Sequence, residues 1–304
     1  MLQGCTRRDF LRLSTSALIS AAALTSSKTA SASMKSFPVG MQLFAIRDLL
    51  TKDFGGTLKQ IAALGFVEVE AAGFLTLTAA EVKAAMKEAR LRCVSGHYPM
   101  QSWQTQLDAN LKFASEAGLK YVVCSAPALK DPSRVAGMSR KAQQDAMTLE
   151  DWRWNASELN RIGEAANEAG LRLAYHNNTN EFRALDGVVP YDELLRLTEP
   201  RKVMFELDCG WALVGGADPV AYLKRNAGRI PMIHVKDFHS LTPPAEGGRL
   251  LAAEMGQGVI DNRPILEAAL RTGVEHCFVE QEGFDMPPLE SLKIDAEYMK
   301  RFSI

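Results

Sequence analysis

The chain alternates short apolar runs with amphipathic helical segments from Val39 almost to its end. A glycine closes several of the helical segments just before the next apolar run, at Gly65, Gly118, Gly170 and Gly273. This is a common way for a helix to end and lead into a strand. Each pair of apolar run and helix takes about 30 to 35 residues. The regular alternation predicts parallel strands joined by helices.

The repeat contains eight predicted strands and eight predicted helices. The strands are Val39–Phe44, Phe66–Ala71, Leu91–Gly96, Leu119–Ser125, Leu171–His176, Val203–Asp208, Ile230–Lys236 and His276–Gln281. The helices are Phe54–Leu64, Thr78–Ala89, Trp103–Ala117, Trp152–Ala169, Tyr191–Leu197, Pro219–Asn226, Arg263–Arg271 and Leu289–Lys300. Eight such units favour a closed (β/α)8 barrel, the TIM barrel, over an open doubly wound sheet. No G-x-G-x-x-G turn follows the first strand, so the sequence lacks the usual dinucleotide signal.

The N-terminal segment lies outside this repeat. Arg7 and Arg8 precede a weakly apolar run at about 13–24 and the small residues Ala30-Ser31-Ala32, a pattern typical of a twin-arginine signal peptide. The alternative is a disordered basic N-terminus. We therefore expect residues 1–32 to be a signal peptide and 33–304 to form the barrel domain in the periplasm. We expect no stable membrane insertion, because the apolar run is too short to span a bilayer.

A second segment, residues 127–151, interrupts the rhythm after the fourth strand. It carries charges, methionines and glutamines with little strand character, and it is longer than an ordinary strand-to-helix loop. We interpret it as an insertion over the end of the barrel. It forms either a lid or an irregular solvated loop.

Composition narrows the possible partners and the role of the cysteines. The chain has 35 Lys and Arg against 36 Asp and Glu, a net charge of −1, and no block of like charges, so no nucleic-acid partner is expected. Cys93, Cys124, Cys209 and Cys277 lie in or beside apolar runs without C-x-x-C spacing, which is typical of buried thiols. A small-molecule substrate is expected, and a homo-oligomer is possible.

Polar side chains, many of metal-ligand type, occur at the ends of most predicted strands. They are Gln42 and Arg47, Glu68 and Glu70, His97 and Tyr98, His176 to Asn178 with Glu181, Glu206 and Asp208, His234 and Lys236, and Glu280 and Glu282. In a TIM barrel these ends form the active-site face. Carboxylates and imidazoles gathered there are costly to bury without a cation. The pattern predicts one divalent ion, Mn²⁺, Mg²⁺, Co²⁺ or Zn²⁺, although a single strand-end histidine is more often structural.

Five motifs carry a resemblance to a known family. They are Leu-Ala-Tyr-His-Asn-Asn-x-x-Glu-Phe at 173–182, Glu-Leu-Asp-x-Gly-Trp at 206–211, Ile-His-Val-Lys-Asp at 233–237, Gly-Gln-Gly-Val-Ile-Asp at 256–261 and Phe-Val-Glu-Gln-Glu at 278–282. Together they resemble the sugar phosphate isomerase/epimerase family, which has a xylose isomerase-like barrel and includes tagatose and psicose 3-epimerases. The resemblance covers essentially the whole chain after the N-terminal segment.

The resemblance implies a metal ligand set. In the ketose epimerases, Glu, Asp, His and Glu from strands five to eight hold the ion. Asp208, His234 and Glu280 match the last three, and His176 stands where those epimerases have the first Glu. We expect all four residues to ligate the metal. The departure at His176 weakens the two-carboxylate mechanism of those epimerases, because neutral imidazole can bind metal or act as a base but is not a carboxylate.

The same reasoning assigns roles in catalysis. Glu280 is the expected base, His176 or His97 exchanges the second proton, and Lys236 offsets charge on the developing oxyanion. The alternative for Lys236 is an ion pair with Asp237 or Glu206. The expected substrate contacts are Gln42, Glu70, Tyr98 and Trp211, the last of which occupies a position where many family members carry histidine.

The leading functional hypothesis is a metal-dependent sugar isomerase or epimerase that abstracts a proton next to a carbonyl and forms an enediolate. A lyase or hydrolase acting on a keto-sugar glycoside uses the same intermediate and is one alternative. A non-catalytic periplasmic sugar-binding protein is another, because His176 replaces an expected carboxylate. Metal dependence separates a working enzyme from a protein that only binds sugar.

Overall fold

The structure, a computed structural model, describes residues 36–242 and 250–303. Eight parallel strands close into a barrel in the order β1-β2-β3-β4-β5-β6-β7-β10, and β10 pairs with β1. These strands are β1 Gly40–Gln42, β2 Glu68–Ala71, β3 Arg92–Tyr98, β4 Tyr121–Cys124, β5 Arg172–His176, β6 Val203–Asp208, β7 Met232–Val235 and β10 His276–Val279. A separate antiparallel ribbon joins β8 Asp237–Phe238 to β9 Ala252–Ala253. The predicted TIM barrel is confirmed, and the predicted signal peptide lies outside the described residues.

The helices pack around the barrel. They are α1 Arg47–Lys52, α2 Phe54–Leu64, α3 Ala79–Ala89, α4 Met100–Ala117, α5 Arg140–Asp145, α6 Leu149–Glu168, α7 Pro190–Leu197, α8 Cys209–Val214, α9 Pro219–Arg225, α10 Asn262–Thr272 and α11 Pro288–Arg301. Among the described residues, we find no helix with the length and apolar character needed to cross a bilayer.

Local sequence signals set the helix boundaries. Thr78 and Glu81 form a reciprocal capping box at the start of α3, which satisfies backbone N–H groups that the helix leaves unpaired. Gly65, Gly118 and Gly273 end α2, α4 and α10 with φ of 103°, 83° and 90°. Glycine tolerates this left-handed conformation without a steric penalty. These three glycines therefore end the helices that the sequence predicted they would end.

The interior of the barrel changes from apolar to polar along the strands. An inner apolar cluster consists of Val94, Tyr121, Val123, Ala174, Met232 and Phe278. Two residues further along three of these strands lie His176, His234 and Glu280. Side chains two apart in a strand share a face, so these polar groups also point into the barrel, nearer the C-terminal end. The apolar cluster closes the floor beneath the candidate site.

The segment between β4 and α6 contains regular structure. It holds a short 3₁₀ helix, Pro132–Val135, and α5. Arg134 ties it to α6 by donating to Asp151 Oδ2 at 3.0 Å, and it also donates to the carbonyl of Ala146 within the segment at 3.1 Å. α6 begins at Leu149, earlier than the predicted start at Trp152, because Thr148 and Asp151 form a second capping box.

Candidate metal centre and substrate cavity

Four side chains from neighbouring strands converge at the C-terminal end of the barrel. His176 ends β5, Asp208 ends β6, His234 lies in β7 and Glu280 directly follows β10. His176 Nε2 lies 3.3 Å from His234 Nδ1 and 3.5 Å from Asp208 Oδ2. His234 Nδ1 lies 3.7 Å from Asp208 Oδ2 and 3.2 Å from Glu280 Oε2. All four residues are buried, and we call them the metal tetrad.

The spacing of the metal tetrad fits a divalent ion. Four ligand atoms held tetrahedrally at ~2.1 Å from a metal lie ~3.4 Å from one another, and the four distances run from 3.2 to 3.7 Å. Asp208 Oδ1 accepts a hydrogen bond from the backbone N–H of Trp211. Asp208 Oδ2 is buried and faces the two imidazole nitrogens and the ammonium group of Lys236. Two imidazole nitrogens and two carboxylate oxygens suit Zn²⁺, Co²⁺ or Mn²⁺.

Lys236 provides a positive charge beside the metal tetrad. Its Nζ lies 2.8 Å from both Asp208 Oδ2 and Glu280 Oε2, and 2.6 Å from Glu282 Oε1. The alternative pairing with Asp237 or Glu206 is therefore wrong. Burial lowers the pKa of Lys236, but these three carboxylates outweigh burial and hold the pKa well above its ordinary value. The lysine is therefore positively charged beside the metal tetrad.

Asp237 instead fastens the loop that follows β9. Its Oδ1 accepts the backbone N–H groups of Phe238 and Ile260, each at 2.9 Å, and its Oδ2 accepts those of Gly256 and Gly258 at 3.1 and 3.0 Å. A Cβ atom on Gly258 would collide with Asp237 Oδ1. The Gly-Gln-Gly motif therefore packs against a buried carboxylate.

Glu70 lies directly behind the metal tetrad and does not line the cavity. Its Oε1 accepts from Gln42 Nε2 and His234 Nε2, each at 2.7 Å, and lies 2.7 Å from His97 Nε2. Its Oε2 accepts from Ser95 Oγ at 2.5 Å. Both oxygens are fully occupied and the side chain is buried. The structure therefore does not support Glu70 as a substrate contact.

Glu70, His97, Glu206 and His234 form a second cluster, which we call the inner network. Its closest distances are 2.7 Å and 2.9 Å, the latter between His97 Nε2 and Glu206 Oε2. These distances are shorter than the ~3.4 Å expected between metal ligands and match charge-assisted hydrogen bonds. The inner network is therefore better described as hydrogen-bonded than as a second metal site.

The inner network keeps two imidazoles protonated. Burial lowers the pKa of His97, but Glu70 and Glu206 outweigh it and raise the pKa to about 10. Burial also lowers the pKa of His234, and Glu206 with Glu70 raises it well above its ordinary value. Burial raises the pKa of Glu280, but Lys236 and His234 outweigh it and lower the pKa to about 2. His97 is thus cationic and Glu280 ionised at neutral pH.

A cavity of about 510 Å³ opens next to the metal tetrad. Of the residues with expected roles, Gln42, His97, His176, Trp211 and Glu280 line it. The Trp211 indole is fixed by a 2.8 Å hydrogen bond from its Nε1 to Glu282 Oε1. A partly exposed indole beside polar groups is suited to packing against a sugar ring.

Tyr98 lies away from this cavity, contrary to expectation. Its ring packs against Trp103 with centroids 4.9 Å apart, on the helix-facing side of β3. Adjacent residues of a strand point to opposite faces, so when His97 faces inward Tyr98 faces outward. Glu68 lies at the other end of the barrel, where its Oε2 is 2.9 Å from His276 Nδ1.

Other cavity residues were not assigned a role from the sequence. Glu282 lines the cavity and binds Lys236, and Gln144 and Asn178 also lie in the wall. Glu206 contributes through the inner network. The motifs around 178, 206 and 282 contained these residues, so a signal existed for them. Gln144 belongs to the inserted segment, and its direction is not encoded by any strand periodicity.

Comparisons with known proteins agree with this architecture. Residues 58–302 match the family described as xylose isomerase-like TIM barrel. An inosose dehydratase of Geobacillus thermodenitrificans (strain NG80-2) is 25% identical over 272 residues, covering 81% of this chain and 89% of the relative. An inosose dehydratase of Geobacillus kaustophilus (strain HTA426) is 28% identical over 268 residues, covering 80% and 85%.

A solved structure shows the same fold. A sugar phosphate isomerase/epimerase from Parabacteroides distasonis ATCC 8503 superposes with a TM-score of 0.71 and 23% identity, covering 88% of this chain and 95% of that one. The family match spans most of the sequence, and the closed barrel agrees with it. The chain belongs to the xylose isomerase-like TIM barrel family.

Proposed function

We propose that the protein is a divalent-metal-dependent sugar isomerase or epimerase that removes the proton next to a carbonyl group. The observation that carries the proposal is the metal tetrad, whose donor atoms have metal-ligand spacing and adjoin a cavity of about 510 Å³. His176, Asp208, His234 and Glu280 would hold the ion. When bound, a divalent ion supplies Lewis-acid chemistry that polarises a carbonyl and an adjacent hydroxyl.

Glu280 is the proposed base. It lines the cavity and is ionised, so it can accept a proton from the carbon next to the carbonyl. Lys236 Nζ, 2.8 Å from Glu280 Oε2, places a fixed positive charge beside the same point. That charge favours the enediolate, because a buried cation stabilises a developing anion more strongly than water does.

His97 is the proposed proton donor. It lines the cavity with Glu280, and Glu70 and Glu206 keep it protonated. An acid and a base on one cavity permit proton removal and proton delivery on the same substrate. Epimerisation returns the proton to the same carbon from the opposite face, and isomerisation delivers it to the neighbouring carbon.

Dehydration is a second candidate, favoured by two observations. The curated relatives described above are inosose dehydratases, and His176 replaces the second carboxylate of an epimerase-type site. In a dehydration, Glu280 would take the proton next to the carbonyl, and His97 would protonate the departing hydroxyl so that it leaves as water. This reaction requires one base and one acid.

Mass spectrometry in D₂O distinguishes these outcomes. The metal-loaded protein would be incubated with ketohexoses, keto-sugar glycosides and an inosose. Isomerase or epimerase activity adds deuterium without loss of mass, dehydration removes one water, and cleavage of a glycoside separates its two parts. We expect Glu280→Gln to lower the rate of proton exchange by 100-fold or more, in line with the contribution of a positioned base. Glu150→Gln, at an exposed glutamate outside the cavity, is the matched control.

Two results would contradict the proposal. A protein that binds no divalent ion would leave the metal tetrad without its proposed role. A metal-loaded protein that binds sugars yet neither exchanges a proton nor changes the mass of any of these substrates would support the sugar-binding alternative.

A further inference from the structure

A side pocket of about 250 Å³ lies next to the cavity described above. Part of its wall is α5, which contributes Lys141, Gln144 and Asp145, and part is the segment around Glu181 after β5. The inserted segment that carries α5 is fastened to the barrel by Arg134, and Arg183 Nη2 donates to the carbonyl of Asp145 at 3.1 Å. The wall therefore has defined contacts with the rest of the fold.

The side pocket and the cavity share part of their lining. Gln144, Asn178 and Trp211 face both spaces. These side chains therefore lie where the cavity of the metal tetrad and the side pocket meet. A ligand with two linked parts placed along them would occupy both spaces.

Glu181 gives the side pocket a hydrogen-bonding group that lacks a partner. The residue is 1% exposed and lines the pocket. Its Oε1 accepts from the hydroxyl of Tyr175 at 2.7 Å. Its Oε2 is buried and has no hydrogen-bond partner among the described residues. Buried acceptors are rarely left unpaired in folded proteins, and a hydroxyl group of a ligand would supply the missing donor.

The remaining lining fits a hydroxylated ring. Trp211 offers aromatic surface, and Asn178, Asn180 and Lys141 offer polar groups around it. Apolar faces combined with a few polar groups are typical of small-molecule sites. No residue of the metal tetrad lines the side pocket. A group bound there is therefore held in place and not chemically changed.

We propose that the side pocket binds a second hydroxylated ring attached to the reacting keto-sugar, so that the substrate is a two-ring keto-glycoside. This inference rests on the proposed function, because it assumes that the reacting ring occupies the cavity at the metal tetrad. The hydroxyl group of the second ring donates a hydrogen bond to Glu181 Oε2. The insertion is thus a specificity-determining element of the site.

Binding measurements on the metal-loaded protein test the inference. The probes are D-fructose, with one ring, and maltulose, which carries a glucosyl ring on fructose. We expect maltulose to bind at least tenfold more tightly than D-fructose by calorimetry. Glu181→Gln replaces the unpaired acceptor with a donor and should weaken maltulose about tenfold or more, the usual cost of losing a hydrogen bond to a charged group. D-Fructose binding should stay within twofold.

A second variant tests the same pocket in case Glu181→Gln fails to fold. Thr179→Phe adds bulk to the wall of the side pocket without changing the buried carboxylate, and it should abolish the preference for maltulose. Glu150→Gln should preserve the preference. Equal binding of both sugars by the unaltered protein, or equal losses for both sugars in Glu181→Gln and Thr179→Phe, would overturn the inference.

Proton exchange measured on the same samples tests the proposed function separately. Selective binding of maltulose, lost in both variants, with no metal-dependent exchange on either sugar would reject the proposed chemistry and support the two-ring site. Exchange on D-fructose without any preference for maltulose would support the chemistry and reject the two-ring site.

Discussion

Replacing Glu70 with glutamine tests whether the inner network orients the metal tetrad. Glutamine keeps the shape of the side chain, and its amide can still accept from Gln42 and His234. Ser95 Oγ, which donates to Glu70 Oε2 at 2.5 Å, can turn to accept from the new amide nitrogen. The substitution therefore removes mainly the negative charge that His234 Nε2 and His97 Nε2 contact.

The expected loss of metal affinity follows from the hydrogen bonds that change. A hydrogen bond to a charged group contributes ~1.5–3 kcal/mol and a neutral one ~0.5–1.5 kcal/mol, so the contact of Glu70 with the proposed ligand His234 loses ~1.4 kcal/mol. This corresponds to a ~10-fold weaker metal site and lies within the range known for groups that support a histidine ligand. The loss should grow as pH rises, because Glu70 also favours the competing proton on His234 at low pH.

Competition of Co²⁺ between the protein and a chelator at pH 6 and pH 8.5 measures this effect. Ser95→Ala is the matched control, since it removes one hydrogen bond to Glu70 and leaves the charge, and its affinity should stay within threefold. Thermal unfolding of the metal-free Glu70→Gln protein would show that the barrel is intact. An affinity at pH 8.5 equal to that of the unaltered protein would refute the idea that Glu70 orients His234.

Further predictions concern other residues and the N-terminus. His176→Ala should weaken metal binding and His176→Glu should preserve it, as measured by metal titration; undiminished affinity in the alanine variant would remove His176 from the proposed ligands. Metal binding should release protons, and affinity should fall as pH falls, because the raised pKa of His234 keeps a proton on a proposed ligand. Calorimetry in two buffers of different ionisation enthalpy would detect this release, and its absence would contradict it. Burial raises the pKa of Asp295 to about 7, so its contribution to stability is present below about pH 4 and is lost as pH rises towards 7. Asp295→Asn should accordingly raise the free energy of unfolding at pH 8 by at most ~4 kcal/mol, with little gain at pH 4; equal effects at both pH values would argue against it. We also propose export to the periplasm, so mass spectrometry of periplasmic protein should find a start near Ser33, and an intact N-terminus in that pool would be inconsistent with cleavage.

The barrel was predictable because its signals are local and repeated. Glycine at helix ends and alternating runs follow from the conformations that single residues and short segments prefer. The positions of three residues of the metal tetrad were also predictable from strand periodicity. His176 and His234 each occupy the last inward position of their strand and Glu280 directly follows its strand, and each has an inward apolar residue two positions earlier.

The errors arose where side-chain direction or a distant partner decides the role. Tyr98 was grouped with His97, although neighbouring strand residues point to opposite faces. Glu70 is separated from His234 by 164 positions in sequence, so its use as a hydrogen-bond acceptor depends on barrel closure. Lys236 could have paired with a carboxylate next to it, but the closed barrel brings Glu282 within 2.6 Å.

The metal tetrad and several of its supporting groups come from different halves of the chain. The tetrad lies entirely within residues 176–280, whereas Gln42, Glu70, Ser95 and His97 come from the first three strands. A chimera that takes its first three βα units from another family member would keep every proposed ligand and Glu206 while exchanging the proposed proton donor His97 together with Glu70. Exchange of these three units therefore offers an engineering route to change where a proton is delivered without redesigning the metal site.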